Sequence, residues 1–311
     1  MNGTYFLFLT IGAVICTGLF AWKLYLKKEK PALSLLALPL AALLGTVMSK
    51  MMYVLLKAGE QFDNYGLSAF LRTQPAEFSF VGGCAGVVLA VWLTAKIAKR
   101  PAASLLDAFA PCGALMCAIA RGCTYFLDPM CMVGIGDYVE NEALCLFPVA
   151  VENQMFGGWF FAVFMLECAC ALVCALAAFL LSRKACCPGR VLLHTVFFLA
   201  LPQVFCEQLL GSYMKWGFVR VEQLLCAMIA FGIILYACIK NKGASKRFLP
   251  AVLSVLCMLM VIDLLFMLDN KYLFGLELAP NVCYILMIGL LGCMASLSLW
   301  AYGRLNKQKE A

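Results

Sequence analysis

The chain has 311 residues, 64% of them hydrophobic and 13% charged, with a mean hydropathy of +0.92. A water-soluble domain runs closer to half apolar and a quarter charged, so a soluble fold is excluded. The formal net charge of +7 sits in short clusters between apolar runs, not on one basic face, which argues against a nucleic-acid partner.

A hydrocarbon layer of ~30 Å needs about 20 apolar residues per helix. Nine runs satisfy this, at 4–26, 34–56, 78–98, 104–127, 157–182, 191–211, 219–239, 248–268 and 281–303. The expected fold is all-α: a polytopic membrane bundle of about nine transmembrane helices. The first run has no basic start and its charges follow it, so it is expected to be a retained span and not a removable signal peptide. Residues 1–240 read as a seven-span bundle. Residues 241–311 read as an appended two-span hairpin whose main polar residue is Asp263.

Basic clusters follow every second run: Lys27, Lys28 and Lys30; Lys96, Lys99 and Arg100; Arg183, Lys184 and Arg190; Lys240, Lys242, Lys246 and Arg247; Arg304, Lys307 and Lys309. The intervening segments 58–77 and 128–156 are longer and acidic. Short basic loops face the cytoplasm, so the N-terminus is expected outside and the C-terminus inside. Segment 128–156, with Gly134, Gly136, Asp137 and Pro148, reads as a loop that can hold a short interfacial helix.

Most of the 18 cysteines lie inside spans, among them Cys16, Cys117, Cys168, Cys170, Cys226, Cys257 and Cys293. There they act as small apolar residues. Cys186 and Cys187 adjoin a basic loop and are expected on the reducing side. With irregular cysteine spacing and one histidine, no disulfide framework, metal site or cofactor is expected. That histidine, His194, falls at the inner end of the sixth run and reads as a satisfied interfacial side chain.

The third and fourth runs stand apart. The third opens Ser79-Phe80-Val81-Gly82-Gly83 and continues to Gly86. Small residues let helices approach closely. Glycines at a helix start can also offer backbone N–H groups to a phosphate. The fourth ends at Arg121-Gly122. An arginine at membrane depth costs a few kcal/mol or more. It either snorkels to headgroups or grips a phosphate with its planar fork.

On these residues the chain resembles the prolipoprotein diacylglyceryl transferases. The stretch Ala76 to Val88, the pair Lys99-Arg100, the segment Leu106 to Pro111 and the stretch Ala120 to Phe126 follow the family's order. That order is Gly-Gly-Met-Ser-Phe-His-Gly-Gly, a basic pair, Asp-x-x-Ala-Pro, then Gly-Arg-x-Gly-Asn-Phe. Weaker echoes lie at Lys50 to Tyr53, Pro148 to Asn153, Gly189 to Glu207 and Glu222-Gln223, so the likeness spans residues 1–240.

The resemblance implies transfer of a diacylglyceryl group from phosphatidylglycerol to the lipobox cysteine of a secreted precursor. It implies an anionic phospholipid and a secreted precursor protein as partners, no nucleic acid, and a multi-pass place in a bacterial-type cell (inner) membrane. Arg121, Glu207 and Glu152 are then the candidate catalytic residues. Lys50, Tyr53, Gly82, Gly83, Thr124, Asn153 and Gln203 are the candidate substrate-binding residues.

The chain also departs from the family. Val81 replaces the family His, Thr124 the Asn, Gln203 the second Arg, and Lys50 the Arg of the second span. The surviving set suits an altered transferase, and equally a lipid-binding relative that transfers nothing. A small-molecule transporter fits less well, because the two halves show no sequence symmetry.

Overall fold

The computed structural model describes residues 3–127, 133–153, 157–184, 188–210, 215–216, 219–241, 247–270 and 278–310. Cys186 and Cys187, and the basic residues Lys242 and Lys246, lie outside them. The helices are α1 Gly3–Leu26, α2 Ala32–Leu56, α3 Ala58–Tyr65, α4 Phe80–Ile97, α5 Ala102–Cys123, α6 Val163–Lys184, α7 Arg190–Leu209, α8 Val221–Lys240, α9 Leu249–Asn270 and α10 Pro280–Glu310. Among the described residues, nine of these (all but α3) are long and apolar enough to cross a membrane. Helices suit that setting because each satisfies its own backbone hydrogen bonds where no water reaches.

The nine expected runs match these nine helices. One boundary is corrected. Residues 158–161 do not begin the fifth span. They form strand β2 Gly158–Phe161, antiparallel to β1 Ala150–Asn153 with Ala150 opposite Phe161 and Asn153 opposite Gly158. Gly157 has φ +65 and makes the turn. Trp159, Phe160 and Phe161 are apolar enough to extend a hydropathy run, yet aromatic residues also favour strands. The span itself starts at Val163. Of the acidic segment before it, residues 142–144 form one short 3-10 turn.

The chain divides into two compact units. The first holds residues 1–195 and 209–211, the second residues 196–208 and 212–311. In the first, α2 packs chiefly on α4, while α5 packs on α6, α1 and α4. Its core joins Phe20 and Leu24 of α1 to Leu33 and Ala37 of α2, Val91 and Ala95 of α4, and Leu105, Leu106 and Cys112 of α5. In the second, α8, α9 and α10 pack on one another, and the short strands β3 Lys215–Trp216 and β4 Val219–Arg220 lead into α8.

Asp107 connects α5 to the start of α7 within the first unit. Helix α7 starts after Gly189, which has φ +86 and no capping side chain of its own. Asp107 of α5 supplies the cap: Oδ2 accepts from Gly189 N at 2.7 Å and Oδ1 from Leu192 N at 2.9 Å. A carboxylate suits the positive end of a helix dipole.

Candidate functional site

The start of α4 is stitched to α2. Ser79 caps α4, its Oγ accepting from Gly82 N at 3.1 Å. Its backbone N donates to Ser49 O at 3.2 Å, and Ser49 Oγ donates to Ser79 O at 2.5 Å. A Cβ on Gly82 would lie 2.7 Å from Met48 O and 2.8 Å from Met52 Cβ. One on Gly86 would collide with Leu44 O and sit 2.9 Å from Gly45 Cα. These glycines therefore let two backbones touch. Gly83 is different: an added Cβ would meet Ser49 Cβ at an ordinary 3.7 Å. The amides of Gly82 and Gly83 are both held by Ser79, through Oγ and O respectively.

Next to this seam lies an ion cluster. Lys50 Nζ is 2.7 Å from Glu77 Oε2, with both side chains over nine-tenths buried. Arg72 Nε is 3.1 Å from Glu77 Oε1, and its guanidinium stacks 3.8 Å over the Tyr65 ring. The Lys50 ammonium is flanked by the rings of Tyr53 and Phe78 at 5.6 and 5.5 Å. Two cations share one carboxylate, so the cluster carries one net positive charge. Buried charges need such partners, because desolvation otherwise costs several kcal/mol.

On the other side of the α4 start, Arg121 leaves the last turn of α5. Its Nη2 is 3.1 Å from Glu167 Oε1 of α6; the Arg side chain is 15% exposed and the Glu 2%. The guanidinium lies 4.1 Å over the ring of Phe80. Arg121 therefore turns toward protein partners. It is held across three helices by a carboxylate and an aromatic face. Val81, next to Phe80 in sequence, is buried and carries no group that can take a proton.

The remaining expected residues are placed as follows. Thr124 is buried just past Arg121, its Oγ1 donating to Ala120 O at 3.4 Å, with its methyl carbon near Gly134. Asn153 is fully buried in β1, while Glu152 beside it is exposed. In the second unit, Gln203 Nε2 donates to Glu207 Oε1 at 2.9 Å, and both are buried. Gln223 Nε2 donates to Val204 O at 2.7 Å, fastening the start of α8 to α7. Arg220 and Glu222, also buried, flank that point in the chain. His194 is buried and pairs with Arg190 Nε at 3.5 Å, in keeping with a satisfied side chain.

Four buried or half-buried charged residues of these clusters were not among the sequence candidates: Glu77, Arg72, Glu167 and Arg220. Three of them carried a signal, and Glu77, one acid among several in its loop, did not. Arg72 and Arg220 lie on the acidic side of the charge alternation, against the positive-inside trend. Glu167 is the one acid within its apolar run, and such a residue marks a site by default.

Comparison with known proteins gives a family match over most of the chain. The family described as prolipoprotein diacylglyceryl transferase matches residues 3–238. A phosphatidylglycerol–prolipoprotein diacylglyceryl transferase of Clostridium novyi (strain NT) is 26% identical over 253 residues, covering 76% of this chain and 94% of the relative. A protein of the same description from Clostridium botulinum (strain Hall) is 27% identical over 203 residues, covering 65% of this chain and 75% of the relative.

Proposed function

The chain belongs to the prolipoprotein diacylglyceryl transferase family, and from that premise we propose that it moves a diacylglyceryl group from phosphatidylglycerol to the lipobox cysteine of a secreted precursor. The reaction replaces the carbon–oxygen bond to phosphate by a carbon–sulfur bond, and glycerol phosphate leaves. Negative charge grows on the departing phosphate, so a preorganised cation lowers the barrier.

The observation that carries this reading is Arg121: a largely shielded guanidinium, its side chain 15% exposed, fixed by Glu167 and Phe80 beside the capped start of α4. It is the phosphate-binding group. Lys50, the Arg-to-Lys change in the second span, adds charge from the Glu77 cluster, where Tyr53, Gly82 and Gly83 shape the surroundings. Thr124 and Asn153 are substrate-contacting groups near the outer hairpin. Val81 cannot act as a base, and Glu207, by its matched family position, is the candidate for that role. Its burial beside Gln203 supports it over the exposed Glu152.

The bundle of residues 1–240 is the transferase part, and 241–311 the appended hairpin; the family match ending at residue 238 supports that division. The bacterial relatives and the alternation of basic loops support a cell (inner) membrane location with the N-terminus outside. The test is transfer of labelled phosphatidylglycerol to a lipobox peptide by the protein in nanodiscs. Transfer that falls in Arg121→Ala supports the reading. Lipid retained on the wild-type protein without transfer identifies a lipid-binding relative instead.

A further inference from the structure

Cys84 of α4 and Cys117 of α5 face each other with their sulfur atoms 3.9 Å apart. One turn toward the helix ends, the Arg121 guanidinium stacks on Phe80 at 4.1 Å. Residues four apart share a helix face, so Phe80 and Cys84 lie on one face of α4, and Cys117 and Arg121 on one face of α5. The two helices thus run antiparallel in register at two successive turns, Phe80 against Arg121 and Cys84 against Cys117. Both cysteines are only partly buried. Nothing in lipid transfer uses them.

A thiol in an apolar setting is ordinarily an inert small hydrophobe. Two features set this pair apart. The sulfurs already touch across a helix pair, and a fixed positive charge lies one turn from one of them. Closing the pair to a bond of roughly 2.05 Å takes side-chain rotation and a small approach of the sulfurs.

We propose that Cys84 and Cys117 are a redox pair that closes to an interhelical disulfide, with a hydroperoxide dissolved in the bilayer as the oxidant. The Cys117 sulfur, nearer Arg121 in the chain, attacks the terminal oxygen of the hydroperoxide. The O–O bond breaks, an alcohol leaves with the thiol proton, and Cys117 becomes a sulfenic acid. The Cys84 sulfur then attacks the Cys117 sulfur. The S–S bond forms, the S–O bond breaks, and the hydroxyl departs as water with the Cys84 proton. Two thiols lose two electrons, which reduce the hydroperoxide to alcohol and water. The cross-link fixes the spacing of α4 and α5 one turn below the Arg121–Phe80 stack.

The experiment treats the full chain in phospholipid nanodiscs with tert-butyl hydroperoxide, blocks remaining thiols with N-ethylmaleimide and maps peptides without reduction. The expected first product joins the peptides of Cys84 and Cys117, and dithiothreitol separates them. In Cys84→Ala the second step is lost, so dimedone labels Cys117 at least tenfold more than in the wild type. Recovery of both cysteines as maleimide adducts while other cysteines oxidise overturns the proposal. So does equal dimedone labelling of Cys117 in wild type and variant.

Discussion

Lys50 and Glu77 form a buried ion pair, 2.7 Å from Nζ to Oε2, that joins the second span to the residues just ahead of the third. Glu77→Ala leaves a buried ammonium beside Tyr53 and Phe78. Removing one partner of a buried pair costs about 3–5 kcal/mol. The expected outcome is a large fall in thermal stability, measured in nanodiscs. Replacing both partners by apolar residues, as in the Lys50→Met, Glu77→Leu double variant, should cost less than Glu77→Ala alone.

Arg121→Ala should lower diacylglyceryl transfer about 10- to 150-fold, the equivalent of one charge-assisted contact of roughly 1.5–3 kcal/mol. Arg121→Lys keeps the charge and loses the planar fork, so it should recover only part of the rate. Steady-state transfer to a lipobox peptide is the measurement. Full activity in Arg121→Ala removes this arginine from the site.

Glu167 acts on Arg121 and is a positioning residue. Glu167→Gln keeps its shape and removes its charge. The expected signature is a raised KM for phosphatidylglycerol with a smaller change in kcat. A variant with unchanged KM and lost stability would assign Glu167 to folding alone.

Asp107→Ala uncaps α7 at Gly189 and Leu192. Loss of a helix N-cap typically costs about 0.5–2 kcal/mol. The change should appear as faster hydrogen exchange at residues 189–192 with transfer largely kept. Asp107→Asn, which retains one acceptor, should fall between the two.

The glycines of α4 should differ sharply in tolerance. Gly86→Val and Gly82→Val force α2 and α4 apart and should abolish accumulation of folded protein. Gly83→Ala meets only an ordinary contact and should accumulate normally. Protein yield in membranes decides it, and equal loss at all three positions would contradict the seam.

The spans were legible because a hydrocarbon layer imposes a length and a composition that any reader of the chain can measure. The charge alternation was legible for the same reason. The β1–β2 hairpin was hidden because Trp159, Phe160 and Phe161 are apolar, and hydropathy does not separate a strand from a helix end. Arg121 stood out as a cation in an apolar run. Its partner Glu167 was equally visible as the one acid in its apolar run, but it matches no position of the family pattern. The glycines posed a true ambiguity: close packing and amide display need the same residue type. Only coordinates could resolve it, and they show Ser79 holding both amides while the backbones of α2 and α4 touch.

That backbone contact bears on lipid traffic. Where Gly86 presses against Leu44 and Gly45, backbone meets backbone with no side chain in between. An acyl chain sliding in from the surrounding bilayer would have to break this backbone contact and the Ser49–Ser79 hydrogen bonds, so the α2–α4 seam is an unfavourable place for a two-tailed donor to enter.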